Sequence, residues 1–118
     1  MTTIYKRLSL LGFAEWLEKN EYSVWQISEV ISEMDKEPID SLYRTSFNAL
    51  AFRWLEETKG IEVIPPIRKE KDLGLFYGGQ IKRFEDTFAQ SCGSNFTTHP
   101  QAEIACLEKA AEIIESNK

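Results

Sequence analysis

Residues 52–66 read FRWLEETKGIEVIPP, and the hydrophobic period changes inside this stretch. Before Gly60 the apolar residues recur three and four positions apart, as on one face of a helix. After Gly60 they form a short β-branched run closed by Pro65 and Pro66. A helix therefore ends and a strand begins at Gly60, where a left-handed cap residue is expected. Proline lacks the donor that a central strand needs, so this strand belongs at a sheet edge or stops at Val63–Ile64.

Reading back from Gly60, Tyr43, Phe47, Leu50, Ala51, Trp54 and Leu55 make one wide apolar stripe. The spacing predicts a long helix from about Asp40 to Thr58. Two shorter helices precede it. Residues 8–19 place Leu8, Leu11, Ala14 (or Glu15) and Leu17 near helical spacing, widened by Phe13 and Trp16. Ser23 with Gln26 has capping-box spacing, and Val24, Ile27, Val30, Ile31 and Met34 supply the stripe that follows.

Reading forward, RKEKD at 68–72 is expected to be a charged turn. LGLFYGGQIKRFE, residues 73–85, reads as a second strand, with Gly78–Gly79 marking a bulge or tight turn. A third strand is expected around Thr87–Cys92, followed by a Gly93–Ser94 turn. The final helix is expected from about Pro100 to Glu115. Thr98 and Gln101 again have capping-box spacing, and Pro100 falls in the first turn, where its missing donor costs nothing. Ala102, Cys106, Ala110 and Ile113 share a face, with Leu107 and Ile114 beside them, while Glu103, Glu108, Glu112 and Glu115 lie mostly elsewhere. The order is α+β: N-terminal helices plus a long helix, a two- or three-stranded antiparallel sheet, and a C-terminal helix packed on it. Residues 1–118 are read as a single domain, with a helical part at 1–37 and an α-β-β-(β)-α part at 38–118.

Little in the chain points to chemistry. His99 is the one histidine, and it stands two helical turns, ~10 Å, from Cys106. Cys106 falls in the inward stripe, where cysteine behaves as a small hydrophobe. Cys92 precedes Gly93 in a polar stretch and reads as an exposed thiol, with His99 as the one base near it in sequence. One His and two Cys without a C-x-x-C do not make a zinc site, and the Gly78–Gly79 pair matches no phosphate-binding loop. No catalytic, cofactor-binding or metal-binding residue is assigned, and no cofactor is expected. No apolar run reaches the roughly 18 residues a membrane span requires. Two cysteines do not make a disulfide scaffold, so a cytoplasmic protein is expected.

The net charge is −5, shared between the halves as −3 for residues 1–60 and −2 for 61–118. That balance opposes a general grip on phosphate backbones. One segment departs from it. Arg68, Lys69, Lys71, Lys82 and Arg83, against Glu70 and Asp72, give a local +3 around Phe76 and Tyr77. Basic residues flanking strand aromatics can hold single-stranded nucleic acid. The plainer reading is a hairpin whose lysines guard a sheet edge.

The segment from Phe47 to Ile114 resembles small proteins encoded by bacterial phages and integrated mobile elements. The resemblance lies in FRWLEETKGIEVIPP, the aromatic-containing strand region, and TTHPQAEIACLEKAAEII. It covers a little over half the chain and implies an α–β-sheet–α unit of mobile-element origin, with no catalytic residues. The α-β-β-β-α order also looks like a double-stranded RNA-binding domain, whose final helix opens with a phosphate-binding basic cluster. Here that position reads THPQAE, without Lys or Arg, so the RNA-binding function does not follow from the likeness. The sequence reading is a non-enzymatic binding protein whose partner is another protein or a second copy of itself. The alternative is a weak nucleic-acid-binding module built on residues 67–83.

Overall fold

The computed structural model describes residues 3–20, 27–39, 41–71 and 74–116, with residues 27–28, 65–71, 74–76 and 94–95 described by backbone alone. Within them the fold is α+β. Helices α1 (Ile4–Leu10), α2 (Phe13–Lys19), α3 (Ile27–Lys36) and α4 (Leu42–Trp54) lead through a π turn, Leu55–Lys59, into strands β1 (Ile61–Lys71), β2 (Gly74–Arg83) and β3 (Gln90–Phe96), and helix α5 (His99–Ser116) closes the chain. The sheet is antiparallel in the order β1-β2-β3, so β1 is an edge strand. Helix α5 packs on the sheet. Gly60 adopts φ 64°, the left-handed cap its position demanded.

The first predicted helix is two. Gly12, at φ 118°, breaks the chain between α1 and α2, a conformation that side-chain-bearing residues rarely adopt. The break turns Phe13 and Trp16 onto the same core as Tyr5 and Leu8. The N-terminus of α1 is capped from a distance: Asp35 on α3 accepts from the Tyr5 backbone N–H at 3.1 Å and from the Thr3 hydroxyl. A carboxylate there satisfies donors that no residue within α1 can reach. Of the second predicted stripe, Ile31 is buried and Met34 packs against the core, but Val30 is exposed. The Ser23–Gln26 capping box lies outside the described residues.

In α4 the predicted stripe is rotated by about one residue. Phe47, Ala51, Trp54 and Leu55 are buried, but Tyr43 is 70% exposed. Arg44 and Asn48 take the inward positions instead. Burial of these polar side chains is tolerated because each finds partners in the core, which hydropathy spacing does not register. Tyr5, Phe13, Phe47 and Trp54 meet around them, with ring centroids 5.1–5.4 Å apart.

The sheet also differs from expectation in detail. The two prolines do not end β1; they fall in a register break between Ile64 and Ile67, and pairing resumes through Lys71. RKEK is therefore strand rather than turn. An edge strand accommodates proline because one side of its backbone makes no ladder bonds. Gly78–Gly79 lies at register breaks against β3, as a bulge would. The third strand begins three residues later than expected, at Gln90, and Gly93 lies inside it at φ 124° rather than in a following turn.

Helix α5 begins at His99. Thr98 Oγ1 accepts from the Gln101 N–H at 3.3 Å, while Gln101 Oε1 reaches back to the Thr97 N–H and hydroxyl at 3.0 Å. The capping box thus forms with its return bond shifted by one residue. Cys106 is fully buried, as the stripe implied, but Glu103 is buried too.

Candidate functional site

The predicted basic hairpin is described along its backbone and at some of its side chains. Its strand backbone is formed, with Arg68 paired to Tyr77 and Lys69 to Phe76. The side chains of Arg68, Lys69, Lys71 and Phe76 lie outside the described residues. Arg83 is already held by Asp86, through contacts of 2.8 and 3.0 Å, and by Glu85 at 3.4 Å. Each ion of the Arg83–Asp86 pair holds the other in its charged form, chiefly through the hydrogen bond between them. Lys82 Nζ donates to the Arg83 carbonyl at 3.3 Å. Tyr77 is half-buried and meets the His99 ring edge-on, with centroids 5.9 Å apart. This hairpin aromatic thus serves the α5 junction.

Where β2 leaves the sheet, a cleft of about 450 Å³ opens against the end of α5. Ile61, Ile113 and Ile114 line it with aliphatic surface, Phe84 adds an aromatic wall, and Lys59, Arg83 and Glu85 carry charge of both signs around it. The Phe84 N–H donates to the Gly60 carbonyl at 2.8 Å, which ties the wall to the left-handed turn. Phe84 is nevertheless 57% exposed, and Phe88, four residues on, is 81% exposed. Large apolar side chains left in water beside a concave apolar surface are the usual marks of a binding site.

A second assembly is buried. The Tyr5 hydroxyl donates to Asn48 Oδ1 and accepts from Arg44 Nε at 3.2 Å. Asn48 Nδ2 donates to Glu103 Oε1 at 3.4 Å, and Glu103 Oε2 lies 3.9 Å from His99 Nδ1. Arg44 also stacks over the Tyr5 ring and donates to the Glu37 carbonyl. This chain joins α1, α4 and α5, and every buried side-chain nitrogen and oxygen among the described residues has a partner. Burial pushes the Tyr5 hydroxyl up to about 12. It also raises the Glu103 carboxyl above the ordinary carboxylate range, against the opposing pull of Asn48 and His99.

The raised Glu103 carboxyl gives a signed expectation. A carboxyl whose folded pKa exceeds its unfolded pKa supports the fold fully below the unfolded value, and that support is lost as pH rises through the folded value. The urea midpoint of the wild type should therefore fall, relative to that of Glu103→Gln, as pH is raised from about 4 to about 8. Parallel midpoints across that range would show that the carboxyl is not desolvated.

The two cysteines come together. Cys92 is half-buried on β3 and lies beside Gly79, where Cys106 Sγ on α5 also packs. His99 turns to Glu103 and Tyr77, so the described partner of Cys92 is not the imidazole. Sequence reasoning placed Cys106 inward but did not bring β3 beneath it. Nor did it find Asn48 and Glu103, whose polar side chains argue against burial until their partners are known. Phe84 and Phe88 were assigned to strands, although their polar surroundings in KRFEDTFAQ could have suggested a connection.

No group of three or more His, Cys, Asp or Glu side chains positioned for a metal occurs among the described residues, and no helix there is long and apolar enough to cross a membrane. Comparison with protein-family models, curated proteins and solved structures finds no match for this chain.

Proposed function

We propose that the protein acts by binding rather than by catalysis, and that the cleft at Gly60, Phe84 and Ile113 receives an apolar side chain of a protein partner or of a second copy of the chain. The observation that carries this reading is Phe84, more than half exposed beside an aliphatic floor and fixed by its backbone bond to Gly60. Anchors of this kind, one aromatic beside a pocket with a polar rim, dominate the energetics of many interfaces. The setting that goes with this reading is a cytoplasmic one, as expected from the two cysteines, with the mobile-element origin that the sequence resemblance implies. Nucleic acid is the weaker reading, because the carboxylates of Asp86 and Glu85 already occupy Arg83.

Phe84→Asp tests the proposal, since an exposed position tolerates the change without loss of fold. Affinity capture from lysate and light scattering should be run with wild type and variant in parallel. The expected result is a co-purifying protein, or a wild-type dimer, that the variant loses while its melting temperature stays close to that of the wild type. A monomeric wild type whose capture profile equals that of the variant would contradict the proposal.

A further inference from the structure

Gly79 is the point on which the two cysteines converge. A methyl group built there would stand 2.8 Å from Cys106 Sγ, 3.1 Å from the Ala102 carbonyl oxygen and 3.5 Å from Cys92 Cβ. The absence of a side chain at Gly79 lets α5 settle onto β2 with its cysteine against the sheet. Register brings the second cysteine to the same place. Gly79 pairs with Gly93 and Gln80 with Ser91, so Cys92 sits at the irregularity between those pairs. Cys106 Sγ lies 3.8 Å from the Gln80 carbonyl. These are the chain's two cysteines, contributed by a strand and a helix.

We propose that Cys92 and Cys106 form a redox-active dithiol that closes to a β3–α5 disulfide on reaction with a low-molecular-weight disulfide. The roles differ by position. Cys92 is half-buried and can be reached from solvent, while Cys106 is fully buried. The electrostatics agree. The neighbouring Cys106, with Lys109 nearby, lowers the Cys92 pKa, and Cys92 together with burial pushes Cys106 up. A thiolate is the attacking species in exchange.

In the first step the Cys92 thiolate attacks one sulfur of glutathione disulfide. The S–S bond of the reagent breaks, one glutathione thiolate leaves, and a mixed disulfide stands on Cys92. In the second step Cys106 attacks the Cys92 sulfur, the mixed disulfide bond breaks, and the second glutathione leaves as a thiolate that takes up the Cys106 proton. Two protein thiols are oxidised, and one glutathione disulfide is reduced to two thiols. Residues 93–105 are then closed in a covalent loop that holds the start of α5 to β3. The restraint falls on the unfolded chain more than on the folded one.

The test treats the folded protein with glutathione disulfide and reads intact mass, free thiols and melting temperature. The wild type should lose both thiols with a mass decrease of two hydrogen atoms, retain no glutathione, melt higher than the reduced protein, and yield a Cys92–Cys106 cross-linked peptide. Cys106→Ala should stop at a glutathione adduct on Cys92, and Cys92→Ser should keep its thiol unmodified. Should either variant fail to fold, the wild-type mass and the cross-linked peptide decide alone. A wild type that keeps both thiols, holds a stable glutathione adduct, or pairs between molecules would overturn the proposal.

Discussion

Replacing Trp54 by alanine is expected to cost about 3–5 kcal/mol, the range for emptying a large aromatic site in a core. Trp54 is almost wholly buried, packs on Phe13 at 5.4 Å between centroids, and carries the Lys59 ammonium over its ring. It also stands where α4 passes into the π turn, so its loss opens a cavity at the junction of the helices and the sheet. Domains of this size hold roughly 5–15 kcal/mol in total. The variant should therefore unfold at much lower urea than wild type, or fail to accumulate. A midpoint within experimental scatter of wild type would show that the indole is not in the core.

The second large effect is expected at Asn48. Asn48→Leu removes the acceptor of the Tyr5 hydroxyl and the donor to Glu103 without opening a large void. Two buried polar groups then lose a partner, each at about 1–3 kcal/mol, for an expected loss of about 2–6 kcal/mol. Tyr5→Phe should also destabilise, because it strips a partner from Asn48 and from Arg44. The double variant should cost less than the sum of the two, since both changes break one hydrogen-bonded chain. Strict additivity in denaturant titrations would show that the residues do not act together.

The fold was legible where one physical signal dominated. The change of period at Gly60 separated helix from strand, the paired prolines marked an edge, and the alanine- and cysteine-bearing stripe of α5 named its inward face. Reading failed where tertiary partners decide. Arg44, Asn48 and Glu103 are polar, so a hydropathy stripe turns them outward. In the structure they satisfy one another and Tyr5, and the stripe of α4 rotates to admit them. The split between α1 and α2 rests on one glycine inside an otherwise helical pattern, a weak local signal. The cleft was harder still. Lys59, Phe84 and Ile113 lie far apart in sequence and meet only because α5 returns across the sheet to the end of β2. Of the residues proposed from sequence as a surface, Arg83 lines that cleft, whereas Tyr77 is packed against His99.

The most direct test of the binding account is amide hydrogen exchange of the chain alone and with its captured partner, or its second copy, bound. The account expects exchange to slow at Gly60, Ile61, Phe84 and the last turn of α5, with little change across Leu42 and Tyr43, an exposed apolar corner away from the cleft. Slowing confined to residues 39–43, with the cleft unaltered, would contradict it.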